Sequence, residues 1–81
     1  MQTFFVSLSS ISDVKKFVDA ATRCACEVDV LSGRYVINAK SIMGLFSLDL
    51  AKSVKVEFHG SDADADAFRQ EISAFLAEAA E

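Results

Sequence analysis

The chain has 81 residues, 52% of them apolar and 25% charged, and eight Lys and Arg against twelve Asp and Glu leave a formal charge of −4. That length excludes a second hydrophobic core, so residues 1–81 are expected to form one domain, and that composition excludes a disordered tail. The acidic balance argues against direct binding of a phosphate backbone, so nucleic acid is not an expected partner. No apolar run approaches the ~18–20 residues of a membrane span, and Met1-Gln2-Thr3 lacks the basic flank of a secretory leader. A cytoplasmic chain without membrane insertion is predicted.

From Thr3 to Leu8, Phe4, Val6 and Leu8 alternate with Thr3, Phe5 and Ser7, the period-two pattern of a half-buried strand. Ser9, Ser10 and Ser12 are candidate N-caps and Asp13 places a negative charge in a first turn. Val14, Phe17, Val18, Ala21 and Ala25 then recur at helical spacing, which predicts a helix over 12–24. Cys26, Val28 and Val30 alternate with Glu27 and Asp29, Ser32-Gly33 supplies a short turn, and Tyr35, Val36 and Ile37 carry the next β-prone run. These are strands two and three of a hairpin.

Ser41 can cap a short apolar helix over 42–51, too rich in large side chains to face water on every side. Val54, Val56 and Phe58 alternate with Lys55, Glu57 and His59 in a fourth strand that Gly60 ends. Ser61 with Asp64 approximates a capping box, and Phe68, Ile72, Phe75, Leu76 and Ala79 continue at helical spacing through a last helix. The order is β-α-β-β-α-β-α. Helices whose apolar stripes all need covering can lie together on one face of a four-stranded sheet, which predicts an α+β, two-layer open-faced sandwich.

Little in the sequence suggests catalysis or a cofactor. Cys24 and Cys26 are the only cysteines and His59 the only histidine, too few ligands for a four-coordinate zinc site, so reduced structural thiols and no metal are expected. Asp62-x-Asp64-x-Asp66 opens like a calcium loop, but the places that need Gly and a bidentate Glu hold Ala67 and Ser73. First-turn residues favoured by the helix dipole are the better reading of these carboxylates. Phosphate-cradling loops and nucleophile elbows are absent, so an independent enzyme is not expected.

The run Lys40-Ser41-Ile42-Met43-Gly44-Leu45-Phe46-Ser47-Leu48 resembles the regulatory-serine segment of HPr, the histidine-containing phosphocarrier of the sugar phosphotransferase system. Element order, length and the place of the segment between strands three and four extend the resemblance over nearly the whole chain, as pattern rather than identity. It implies an antiparallel sheet in the order 1-4-2-3 with three helices on one face, a strand order that periodicity does not supply.

HPr carries phosphate on a histidine at the start of its first helix, followed by an arginine and a proline. Counted back from Ser41 without gaps, the histidine position holds Ser10, the arginine position Ser12 and the proline position Asp13. An imidazole nitrogen takes and passes on a phosphoryl group near neutral pH, whereas a serine hydroxyl needs an activating base. Ser12 offers no guanidinium fork for phosphate, and Asp13 brings charge of the opposing sign. His59, predicted on the exposed side of the fourth strand, is read as a solvated strand-end residue rather than a displaced acceptor.

Ser41 matches the position that a dedicated kinase phosphorylates in HPr of many Gram-positive bacteria. A phosphate at a helix start meets free N–H groups, so the helix tolerates it; Ser41 as an N-cap alone, worth about 1 kcal/mol, stands beside that reading. Ile42, Met43 and Phe46 match the apolar residues by which HPr docks its partners, and an adaptable methionine beside a large aromatic suits that task. Lys40, Lys52, Lys15 and Lys16 could face an acidic partner patch. In the competing reading the helix is simply core, a role that Leu45, Leu48 and Leu50 fill more comfortably.

The function expected is therefore that of an HPr-like protein without histidyl phosphotransfer, acting as a regulatory docking protein in carbohydrate uptake or catabolite regulation. Its expected partners are an HPr-type serine kinase, a phosphotransferase-system component or a transcription regulator. An active phosphocarrier with a non-standard acceptor is the alternative, and an interaction protein unconnected with sugar uptake a third.

Overall fold

The computed structural model describes residues 2–48 and 52–77. In chain order the elements are β1 (Gln2–Val6), α1 (Ile11–Thr22), β2 (Val28–Ser32), β3 (Tyr35–Asn38), α2 (Ile42–Phe46), β4 (Val54–Phe58), α3 (Asp62–Glu71), a 3₁₀ turn (Ser73–Phe75) and β5 (Leu76–Ala77). The architecture is α+β, with an open antiparallel sheet and three α-helices.

The sheet corrects one expectation and extends another. It has five strands rather than four, and read from the edge beside β1 their order is 5-1-4-2-3, the expected 1-4-2-3 with β5 added outside β1. The helix expected to run on through Phe75, Leu76 and Ala79 stops at Glu71; Ile72 leaves helical geometry at φ −103° and ψ 21°. One 3₁₀ turn follows, and Leu76 and Ala77 then pair with Val6 and Phe5. The physical cause is the outer edge of β1, whose amides and carbonyls need partners. The Ser7 amide donates to the Phe75 carbonyl at 2.7 Å, and β5 continues the ladder from there. Ala79 lies outside the described residues.

Alternation along the strands builds the core. Phe4 and Val6 of β1, Val28 and Val30 of β2, and Val54, Val56 and Phe58 of β4 are buried, while the residues between them reach the opposite face. Val14, Phe17, Val18 and Ala21 of α1, Leu45 of α2, and Ala65 and Phe68 of α3 close over them in one cluster. Phe68 is its hub, with ring centroids 6.1, 5.8 and 5.3 Å from those of Phe4, Phe17 and Phe58.

Local chemistry fixes the element ends. Ser10 rather than Ser12 caps α1, so the helix begins at Ile11 and ends at Thr22, and Ala25, expected on its apolar stripe, is exposed beyond it. The β2–β3 hairpin turns through Gly33 and Arg34 between paired Ser32 and Tyr35, and Gly33 takes φ +58°, open to glycine without steric cost. β2 sits further along the chain than Cys26–Val30, leaving Cys26 in a connection, while β3 begins at Tyr35 as expected and runs one residue past Ile37. The helix expected over 42–51 is described as Ile42–Phe46, and 49–51, with Leu50, lie outside the described residues.

Candidate functional site

The Ser41 segment folds as a single helical turn. Ser41 Oγ accepts the Gly44 amide at 3.2 Å, and Ser47 Oγ donates to the Gly44 carbonyl at 2.6 Å. Gly44 is required by its neighbours: a Cβ there would stand 2.6 Å from Ile37 Cγ2 and 3.0 Å from Ser41 Oγ. Lys40, one residue before the cap, reaches across to donate from Nζ to the Cys24 carbonyl at 3.0 Å. That bond ties the loop before α2 to the end of α1.

Five residues of helix divide sharply by side. Leu45 is fully buried, Ile42 and Leu48 are half-buried against the core, and Met43 and Phe46 are 75% and 40% exposed. Of the three apolar residues singled out from the sequence, two therefore face outward and Ile42 shares its surface with the interior. Ser41 is exposed.

The start of α1 lies beside this turn. Ser10 Oγ accepts the Asp13 amide at 3.1 Å, while Asp13 Oδ2 accepts from the Ser9 amide at 3.2 Å and the Ser9 hydroxyl at 3.1 Å. The Ser9 amide above all holds the Asp13 carboxyl below its ordinary pKa, helped by the Ser9 and Ser10 hydroxyls and the Lys16 charge. A carboxylate already fills the positive end of this helix, and an ionised Asp13 is a poor base for activating a hydroxyl. Ser12 is exposed and has no part in the cap.

Phe46 of α2 and Ser9, Ser10, Ile11, Val14 and Leu8 line one shallow depression of about 190 Å³. Ile11, 65% exposed, extends the apolar rim that Met43 and Phe46 begin. Sequence reasoning missed Ile11; an isoleucine outside the helical stripe at the first helical position was the available signal.

The other residues weighed from sequence lie elsewhere. His59 is exposed just past β4, its Nε2 3.0 Å from Asp29 Oδ2. Ser61 caps α3 by accepting the Asp64 amide at 3.1 Å, with Asp62 and Asp64 in the first turn. Cys24 and Cys26 are free thiols at the rim of a cavity of about 330 Å³ that Arg23, Asp64 and Glu71 also line. No described helix is long and apolar enough to cross a membrane.

The open-faced α+β fold buries no polar side chain among its described residues and sets exposed apolar groups beside the serine-capped starts of α1 and α2. Residues 13–78 match the family model PTS-HPr, the PTS HPr component phosphorylation site. The chain belongs to this family of phosphotransferase-system phosphocarriers. Ser41, Ile42, Met43 and Phe46 fall inside the match, whereas Ser10 and Ser12 stand just ahead of it. No curated protein matches the chain.

Proposed function

We propose that this HPr-family protein works as a regulatory docking protein in carbohydrate uptake or catabolite regulation, in the cytoplasm, without carrying phosphate on a histidine. The observation that carries the reading is the shared depression at the α1–α2 junction, where Phe46 meets Ser10 with Met43 and Ile11 exposed around it. A partner gripping this rim buries flexible and aromatic apolar side chains at the centre of its contact.

The start of α1 supports the loss of histidyl transfer. Where the family places its acceptor, this chain has a hydroxyl engaged in capping and a carboxylate that would repel an arriving phosphoryl group. At Ser41 the hydroxyl is exposed, and phosphorylation there would add about −1.5 to −2 charges to the docking rim. Such a charge would shift the choice of partner rather than create a catalyst.

Incubation with ATP and an HPr-type serine kinase tests the proposal. Expected is phosphate on Ser41 that Ser41→Ala abolishes; an unlabelled chain removes the regulatory reading. Incubation with enzyme I and phosphoenolpyruvate is expected to leave no acid-labile phosphate, and such label would make the protein an active carrier instead.

A further inference from the structure

On the side of the sheet away from the helices, the register of β2 against β4 sets Asp29 directly opposite Glu57. Val28 and Val30, Val56 and Phe58 point into the core, so both carboxylates stand on the open face. His59 follows two residues after Glu57 and is held in line by its amide, which donates to the Glu27 carbonyl at 3.0 Å. Its Nε2 lies 3.0 Å from Asp29 Oδ2 and 4.0 Å from Glu57 Oε1, and one donor atom from each residue falls within 4.8 Å of the other two.

We propose that Asp29, Glu57 and His59 form a binding site for a divalent transition-metal ion of zinc-like character. Three observations converge on it. Like charges directly opposite one another weaken a sheet, and the imidazole hydrogen-bonds only the aspartate, leaving the glutamate without equivalent relief. A dication between the two carboxylates cancels their charge. The spacing also suits such an ion: bond lengths of about 2.0–2.2 Å place neighbouring donors roughly 3.0–3.5 Å apart, within about 2 Å of side-chain adjustment from the arrangement present. Finally, the side chains are 35%, 26% and 24% exposed, restrained by the sheet yet open to solvent on one side.

The donor set selects the class of ion. One imidazole nitrogen with two carboxylate oxygens suits zinc and its neighbours, while calcium and magnesium prefer oxygen-rich shells. Three protein donors leave further coordination to water or to a donor from another molecule. The site stands on the sheet face opposite the helices, so it does not rest on the reading of Ser41.

Calorimetric titration of the reduced protein with zinc chloride, with magnesium chloride as comparison, tests the site. Expected is saturable uptake of one equivalent of zinc, a melting temperature that rises with zinc, and no competition from magnesium. His59→Gln and Asp29→Asn should each weaken uptake at least tenfold while keeping the far-ultraviolet spectrum. Should either fail to fold, Glu57→Gln serves alone: it removes the facing charge, so the metal-free melting temperature should rise while zinc uptake falls at least tenfold. Absence of saturable uptake at millimolar zinc overturns the proposal. So does wild-type affinity in any of the three variants, or uptake abolished by alkylating Cys24 and Cys26.

Discussion

The Gly44 amide donates to Ser41 Oγ across 3.2 Å, and the space above Gly44 is closed on one side by Ile37 and on the other by that same Oγ. The residue three places after the serine is thus small because the cap and β3 leave no room for a Cβ. Gly44→Ala should force Ile37 aside and disturb the cap together, costing about 1–3 kcal/mol. Equilibrium denaturation in urea measures it, and a midpoint equal to wild type would mean that α2 shifts freely.

The cap of α1 makes stability depend on acid. Asp13 titrates below its ordinary value of 3.8 because its charged form accepts the Ser9 amide. A depressed carboxyl contributes stability in full above the unfolded-state pKa and loses it as pH falls through the lower, folded value. Asp13→Ala should therefore melt below wild type at neutral pH, and the two melting temperatures should converge under acid conditions below the unfolded pKa. A gap that stays constant from neutral to strongly acidic pH would show that the carboxylate charge contributes nothing.

The central architecture was legible because alternation in Phe4-Val6, Val28-Val30 and Val54-Val56-Phe58 admits few other readings. The end of the chain was not. Phe75 and Leu76 satisfy helical spacing after Phe68 and Ile72, yet the open edge of β1 turns Leu76 and Ala77 into a strand, a decision taken between elements far apart in sequence. Sites divide in the same way. Ser41, Met43 and Phe46 are neighbours in the chain and could be read together, whereas the approach of Phe46 to Ser10 needs α1 beside α2. Asp29 with Glu57 and His59 needs the register of β2 on β4, which no local pattern carries.

Phe68 joins α3 to three other elements, packing against rings from β1, α1 and β4 while only 3% exposed. Its truncation to alanine should cost about 3–5 kcal/mol, comparable with the whole stability of a chain this small. Phe68→Ala should be largely unfolded at room temperature and Phe68→Leu folded but weakened, as judged by near-ultraviolet circular dichroism. A cooperative, wild-type-like transition in the alanine variant would contradict a core centred on this ring.

Burial pushes the Cys24 thiol up, with the neighbouring Cys26 adding to the shift, and its Sγ donates to the Ala20 carbonyl at 3.5 Å. Since the thiolate is the reacting form, Cys24 should be alkylated more slowly at pH 8 in the native protein than in denaturant. Mass spectrometry of iodoacetamide-labelled peptides over time measures this. Native labelling of Cys24 as fast as in denaturant would mean that the end of α1 opens readily.

Within α2, Leu45 and Met43 separate stability from docking. Leu45 is fully buried and Met43 is 75% exposed, although only Gly44 separates them. Leu45→Ala should cost about 2–5 kcal/mol through the cavity it leaves. Met43→Gln should stay within about 0.5 kcal/mol of wild type, since it touches no core contact. If the exposed rim is what partners grip, Met43→Gln with Phe46→Ser should weaken capture by an HPr-type serine kinase at least tenfold while the pair remains folded. Kinase binding unchanged by the double substitution, measured by surface plasmon resonance, would leave the outward methionine and phenylalanine without the role proposed for them.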